Sequence, residues 1–146
     1  MDRSTLLHLW NAHHAENTWV AAWSKSVAGL TPGQAAWKPA PERHSIWQLV
    51  HHMVFWREYF VARRRGGATL AAEEIARRNW EEPAEVTDGA WAAALARFES
   101  SHAAVAAAIA DPSIPFGPFV YPLTHDCYHV GQIMQVRAMQ GLAPIE

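Results

Sequence analysis

An all-α fold with four long helices around one core is what this sequence predicts, and three observations carry the prediction. Four long segments place apolar residues at i, i+3 and i+4, the spacing that lines them along one face of a helix. Stretches rich in Pro and Gly separate those segments. No segment shows a run of the apolar–polar alternation that a half-buried strand requires. The 146 residues suffice for one compact domain, residues 1–146, and 50% of them are hydrophobic, too many for a chain that stays disordered.

The first helix is expected from about Ser4 to Ala28. Leu6, Leu9, Trp10, His13, Asn17 and Val20 form its inner stripe and Gly29 its stop. Thr31-Pro32-Gly33-Gln34 then offers an N-cap, a proline at the first helical position and a Gln three residues after the cap. That predicts a short helical turn ending near Trp37. Lys38-Pro39-Ala40-Pro41 must be extended, because a residue before proline is pushed out of the helical region.

Ser45-Ile46-Trp47-Gln48 is a second capping box. It starts a helix that runs to about Arg65 and stops at Gly66-Gly67, with Ile46, Leu49, Met53, Trp56 and Phe60 facing the core. Ala68 to Val86 is less regular, with a short helix around Leu70–Arg78. The third long helix begins near Thr87 or Asp88 and reaches about Ala110, turning Trp91, Leu95, Phe98, Val105 and Ile109 inward. Asp111 to Pro122, with four prolines and one glycine, is a stiff connection. The last helix starts near Leu123 or Thr124 and ends at Gly141.

Composition narrows the function. The net charge of −2 gives no basic field for nucleic acid. Arg63-Arg64-Arg65 and Arg77-Arg78 fall near helix ends, where cations complement the dipole. Cys127 is the one cysteine, which excludes an intramolecular disulfide and a Cys-rich zinc site. Met1 to Trp10 lacks the charged start and apolar run of a signal peptide, and the most apolar stretches are too short to span a bilayer. The expectation is a cytoplasmic protein with no membrane partner.

The sharpest local signal is His125-Asp126-Cys127-Tyr128-His129. Residues i and i+4 of a helix lie one turn apart on one face, so two imidazoles there can converge on one ion. The alternative is two unrelated histidines, one of them partly buried and hydrogen-bonded. His52 supplies a third candidate, because it sits at the margin of the inward stripe of the second helix, whereas His51 lies nearly opposite and should be solvated. His13 lies on an inner stripe, either lining the same cavity or satisfied in the core. His8, His14, His44 and His102 read as peripheral. Cys127 is about 200° around the helix from His125 and faces away from such an ion. Imidazole ligands suit zinc, nickel, copper and iron. Two observations speak against an H-E-x-x-H protease: Asp126 stands where that motif has Glu, and no substrate groove is patterned.

The stretch His125-Asp126-Cys127-Tyr128-His129-Val130-Gly131-Gln132-Ile133, with Arg137 and Gly141 beyond it, resembles the closing helix of the DinB/YfiT-like superfamily. Ser45-Ile46-Trp47-Gln48-Leu49-Val50-His51-His52 is similar to its second-helix motif, in a register that puts His52 on the first metal-binding position. Leu30-Thr31 and Trp37-Lys38-Pro39-Ala40 resemble its N-terminal half. The resemblance implies a four-helix bundle with long crossover connections and a metal site at His52, His125 and His129. It implies zinc or nickel first, with iron or manganese as alternatives, and a homodimer, which the abundance of Trp also suits. It also implies a metal-dependent transferase in which a low-molecular-weight thiol, held at the ion, attacks a small-molecule substrate. A metal-dependent hydrolase and a non-catalytic, metal-binding stress-response protein are the alternatives. His13, Tyr128 and Gln132 are candidates for lining the pocket. The chain departs from the family where Tyr121-Pro122-Leu123-Thr124 replaces a glycine often found before the first histidine of the last helix, at the entrance to the site.

Overall fold

The computed structural model describes residues 1–145; Glu146, the last residue of the expected domain, lies outside them. The described residues form helices α1 (Arg3–Ala15), α2 (Trp23–Val27), α3 (Pro32–Ala36), α4 (Ile46–Arg64), α5 (Ala72–Asn79), α6 (Asp88–Ala110) and α7 (Val120–Met139), with a 3-10 turn at Gly117–Phe119. The protein is all-α, as its periodicity predicts. The longest seam runs between α4 and α6; α7 packs against α4, α1 against α6, and α2 bridges α1 to α7.

Local chemistry explains the boundaries. Both capping boxes form: Thr31 Oγ1 accepts from the Gln34 amide at 3.2 Å, and Ser45 Oγ from the Gln48 amide at 3.1 Å. Thr87 caps α6 in the same way. Gly66 and Gly141, with φ of 85° and 71°, take the left-handed conformation that ends α4 and α7. At the end of α6 the Arg3 guanidinium gathers carbonyls that the helix leaves unpaired, donating to Asp111 O at 2.6 Å, to Ile114 O at 2.9 Å and also to Ile109 O.

The first expected helix is two. The chain leaves α1 at Glu16, and α2 resumes at Trp23. Asn17 Oδ1 accepts from the Ala22 amide at 3.0 Å and Ser24 Oγ donates to His14 O at 2.7 Å, so side chains make the bonds a continuous helix would have made. The break lets Trp23 meet Trp10 edge-on, ring centroids 4.8 Å apart, at the centre of the core. It also shifts the buried face of α1 to Leu6, Trp10 and His14. His14 and His102 are therefore not peripheral. They stack at 3.8 Å, and His14 Nε2 bonds to Glu99 at 2.8 Å.

The last helix begins earlier than expected, at Val120. Pro122 falls in its first turn, where the amide it lacks has no intrahelical partner in any case. Of the eight tryptophans, Trp10, Trp23, Trp47 and Trp91 are buried, and only Trp19 and Trp37 are exposed. Their abundance is thus used mainly inside the chain. Among the described residues no helix is long and apolar enough to cross a membrane.

Candidate metal centre

The i, i+4 pair on α7 and the inward register of α4 bring His125, His129 and His52 together. Nε2 of His125 stands 3.0 Å from Nε2 of His52 and 3.1 Å from Nε2 of His129, and one ligand atom from each ring lies within 4.8 Å of the others. Three imidazole nitrogens held tetrahedrally about 2.0–2.1 Å from one ion would be about 3.3 Å apart. The cluster could hold a metal ion.

The outer nitrogens decide the tautomers. His52 Nδ1 lies 3.1 Å from the Asn79 carbonyl, His125 Nδ1 3.1 Å from Asp126 Oδ1, and His129 Nδ1 2.6 Å from Gln132 Oε1. Each acceptor is an oxygen, so each Nδ1 carries the proton of a neutral ring and each Nε2 presents a lone pair. Three lone pairs then face one small space with no proton among them. A cation turns that mutual repulsion into coordination, and outer carboxylate and carbonyl acceptors of this kind orient histidine ligands and raise their basicity.

The outer contacts reach far into the core. Asp126 is wholly buried. Its second oxygen accepts from Arg57 Nε at 2.6 Å. Arg57 Nη1 donates to Phe98 O at 3.1 Å and Ser101 Oγ at 3.2 Å, and its guanidinium lies over the rings of Phe98, Trp10 and Trp23. Arg57 was not picked out from the sequence, although a charged residue one turn beyond Met53 on a core-facing stripe was a readable signal. The end of α5 was also missed. Asn79 O receives His52, Trp80 stacks on the His52 ring at 3.7 Å, and Gln48 Nε2 donates to Trp80 O at 3.2 Å. Trp56 Nε1 donates to Asn79 Oδ1 at 2.7 Å.

His51 is partly exposed and turned away from the cluster, but it is not left to solvent alone. Its Nε2 accepts from Trp47 Nε1 at 3.0 Å and its Nδ1 donates to Glu81 O at 3.0 Å, so neither nitrogen is free for a metal. His13 bonds to Leu9 O of its own helix at 2.9 Å and lines none of the cavities beside the cluster. Gln132 supports His129, and Tyr128, largely exposed, accepts from Gln132 Nε2 at 3.2 Å. Cys127 packs against the core, and burial pushes its thiol pKa up, away from the reactive thiolate.

Burial, then the neighbouring imidazoles, lowers the pKa of His52 to about 3 and that of His129 to about 4. Burial and His14 lower His102 to about 3. All three start from an ordinary value of 6.5. An unfolded chain takes up these protons near that value, and the folded chain only near 3 to 4. Between those limits the unfolded state binds more protons, so stability rises with pH and drains away on acidification. The urea midpoint of the metal-free protein is expected to fall steadily as pH drops from 6.5 toward 4. A flat profile over that range would contradict these histidines being held neutral.

An all-α frame that brings three like-oriented imidazoles to one point defines a helical protein with a cluster able to bind a metal ion. Comparison with known families agrees: the DinB superfamily model matches residues 14–133, and the chain belongs to that superfamily. No curated protein and no solved structure matches the chain.

Proposed function

We propose that His52, His125 and His129 hold one divalent ion, zinc or nickel before iron or manganese, and that the protein is a metal-dependent transferase using a low-molecular-weight thiol. The observation that carries the metal reading is the shared tautomer, with three Nδ1 protons committed outward and three Nε2 lone pairs turned inward. Three neutral imidazoles leave coordination positions open, which suits catalysis better than a closed structural site. A divalent ion there would lower the pKa of a coordinating thiol or water. The chain contributes no nucleophile of its own, since Cys127 is packed against the core with a raised pKa.

We read α1, α4, α6 and α7 as a four-helix bundle in one domain. The α5 segment and residues 111–119 are its long connections. A homodimer in the cytoplasm completes the reading. It rests on the family and on the exposed α7 side chains Tyr128 and Met139. Light scattering at micromolar concentration should give twice the chain mass, and a monomer there would refute the dimer.

Metal analysis tests the site. Wild type and His51→Ala should carry near-equal metal, whereas His52→Ala, His125→Ala and His129→Ala should lose most of it. Near-wild-type occupancy in those three variants sinks the assignment. The loaded protein should then join a small thiol to a model electrophile, with activity lost in His129→Ala. Ester or amide cleavage alone would favour a hydrolase. Silence in both assays, with a large fall in melting temperature on chelation, would favour a non-catalytic metal-binding protein.

A further inference from the structure

The three histidines are not equally covered. His52 and His129 are 6% and 5% exposed, and Trp80 lies flat on the first and edge-on to the second. The His125 side chain is 30% exposed and has no aromatic ring over it apart from the other two imidazoles. His125 is thus the most accessible of the three. A cavity of about 130 Å³ lies there, between α4 and α7, with Trp56, Phe60, Tyr121 and Pro122 as walls beside His125. An apolar cavity of roughly 150 Å³ takes a benzene ring.

The two charged groups at its edge are paired with each other. Arg57 and Asp126 also border the cavity, but they are 1% and 0% exposed and neutralise each other. Three of the guanidinium's neighbours are aromatic faces, and its Nη2 has no hydrogen-bond partner. The cavity therefore offers no net charge with which a ligand could pair, and a charged group entering it would lose hydration without return. Tyr121, 69% exposed, stands on the solvent side of this lining, in the Tyr121-Pro122 stretch where the sequence departs from its family.

We propose that this cavity receives an uncharged, ring-sized apolar group of the substrate, with Tyr121 as its outer wall, so that the reacting end of the molecule lies at His125. The inference rests on the proposed metal reading for the reacting end only; the cavity and its preference stand on the residues that line it.

Toluene is the probe, followed in ¹H–¹⁵N spectra through the Trp56 indole N–H, which is identified by its loss in Trp56→Phe. The expected result is a saturable shift of that resonance in both metal-free and metal-loaded protein. In the metal-free protein benzoate and benzylammonium should bind at least about tenfold more weakly, because each carries a charge into an apolar site. Tyr121→Ala should weaken toluene binding several-fold, and Trp19→Ala, at an exposed position off the cavity, should leave it unchanged. Absence of a saturable shift, or benzoate binding the metal-free protein as well as toluene does, overturns the proposal. An unchanged affinity in Tyr121→Ala overturns the part given to Tyr121. The two readings fail separately: metal binding without toluene binding removes the cavity proposal alone, and toluene binding without metal removes the metal reading alone.

Discussion

Arg57→Ala is expected to destabilise the protein by about 3–5 kcal/mol, enough to consume much of the stability of a domain this size. The cause is what remains behind. Asp126 is wholly buried, and among the described residues Arg57, with Nε at 2.6 Å, is the only arginine or lysine paired with it. Without the guanidinium its carboxylate is left ionised in the core or must take up a proton, and both cost free energy. The truncation also empties the space between Phe98, Trp10 and Trp23, whose faces the guanidinium covers, and removes the Nη1 donor from Ser101 Oγ and Phe98 O, the latter keeping its bond from Ser101 Oγ at 2.8 Å. The large figure measures an orphaned charge, not the net worth of the pair. A double variant, Arg57→Leu with Asp126→Leu, leaves no buried charge and should recover a substantial part of the loss. Urea unfolding of the metal-free proteins measures both. A loss below about 1 kcal/mol in Arg57→Ala, the size expected for a solvated pair, would show that Asp126 is not isolated in the core.

Where the sequence could be read, the signal was local. Ser45 and Gln48, or Thr31 and Gln34, lie three residues apart, and their geometry follows from that spacing alone. His125 and His129 meet because they are one turn apart, and His52 joins them because its register on α4 turns it inward. The unread parts depend on distant partners. Nothing within Glu16 to Ala22 forbids a helix outright; the break is decided by Trp23 finding Trp10 and by Asn17 taking a backbone bond. His14 and His102 looked peripheral because their stacking joins α1 to α6 across the fold. Asn79 and Trp80 sit at the C-terminal end of α5, and their role appears only when that end closes over His52. Asp126 was compared with the catalytic Glu of a different motif, and its true partner lies on another helix.

Asp126→Asn is expected to weaken metal binding by about 10- to 100-fold while costing less stability than loss of Arg57. The substitution keeps the shape and changes the bonding. A carboxylate accepts on both oxygens, one from His125 Nδ1 and one from Arg57 Nε. An amide accepts on one side and donates on the other. If its oxygen stays with the charged guanidinium, its NH₂ group meets His125 Nδ1, and that nitrogen must become an acceptor. The ring proton then moves to Nε2, the atom that faces His52 and His129 at 3.0 and 3.1 Å, and the lone pair needed for coordination is lost. If the amide turns the other way, His125 keeps its tautomer but Arg57 faces a donor in the core, so the two demands cannot both be met. Competition against a chelator of known affinity at neutral pH measures the effect. Ser101→Ala is the control, because it removes a hydroxyl bonded to Arg57 and leaves both Asp126 contacts in place. Affinity within about twofold of wild type in Asp126→Asn would mean that the carboxylate does not set the His125 tautomer. Equal weakening in Ser101→Ala would trace the loss to disturbance of the core around Arg57.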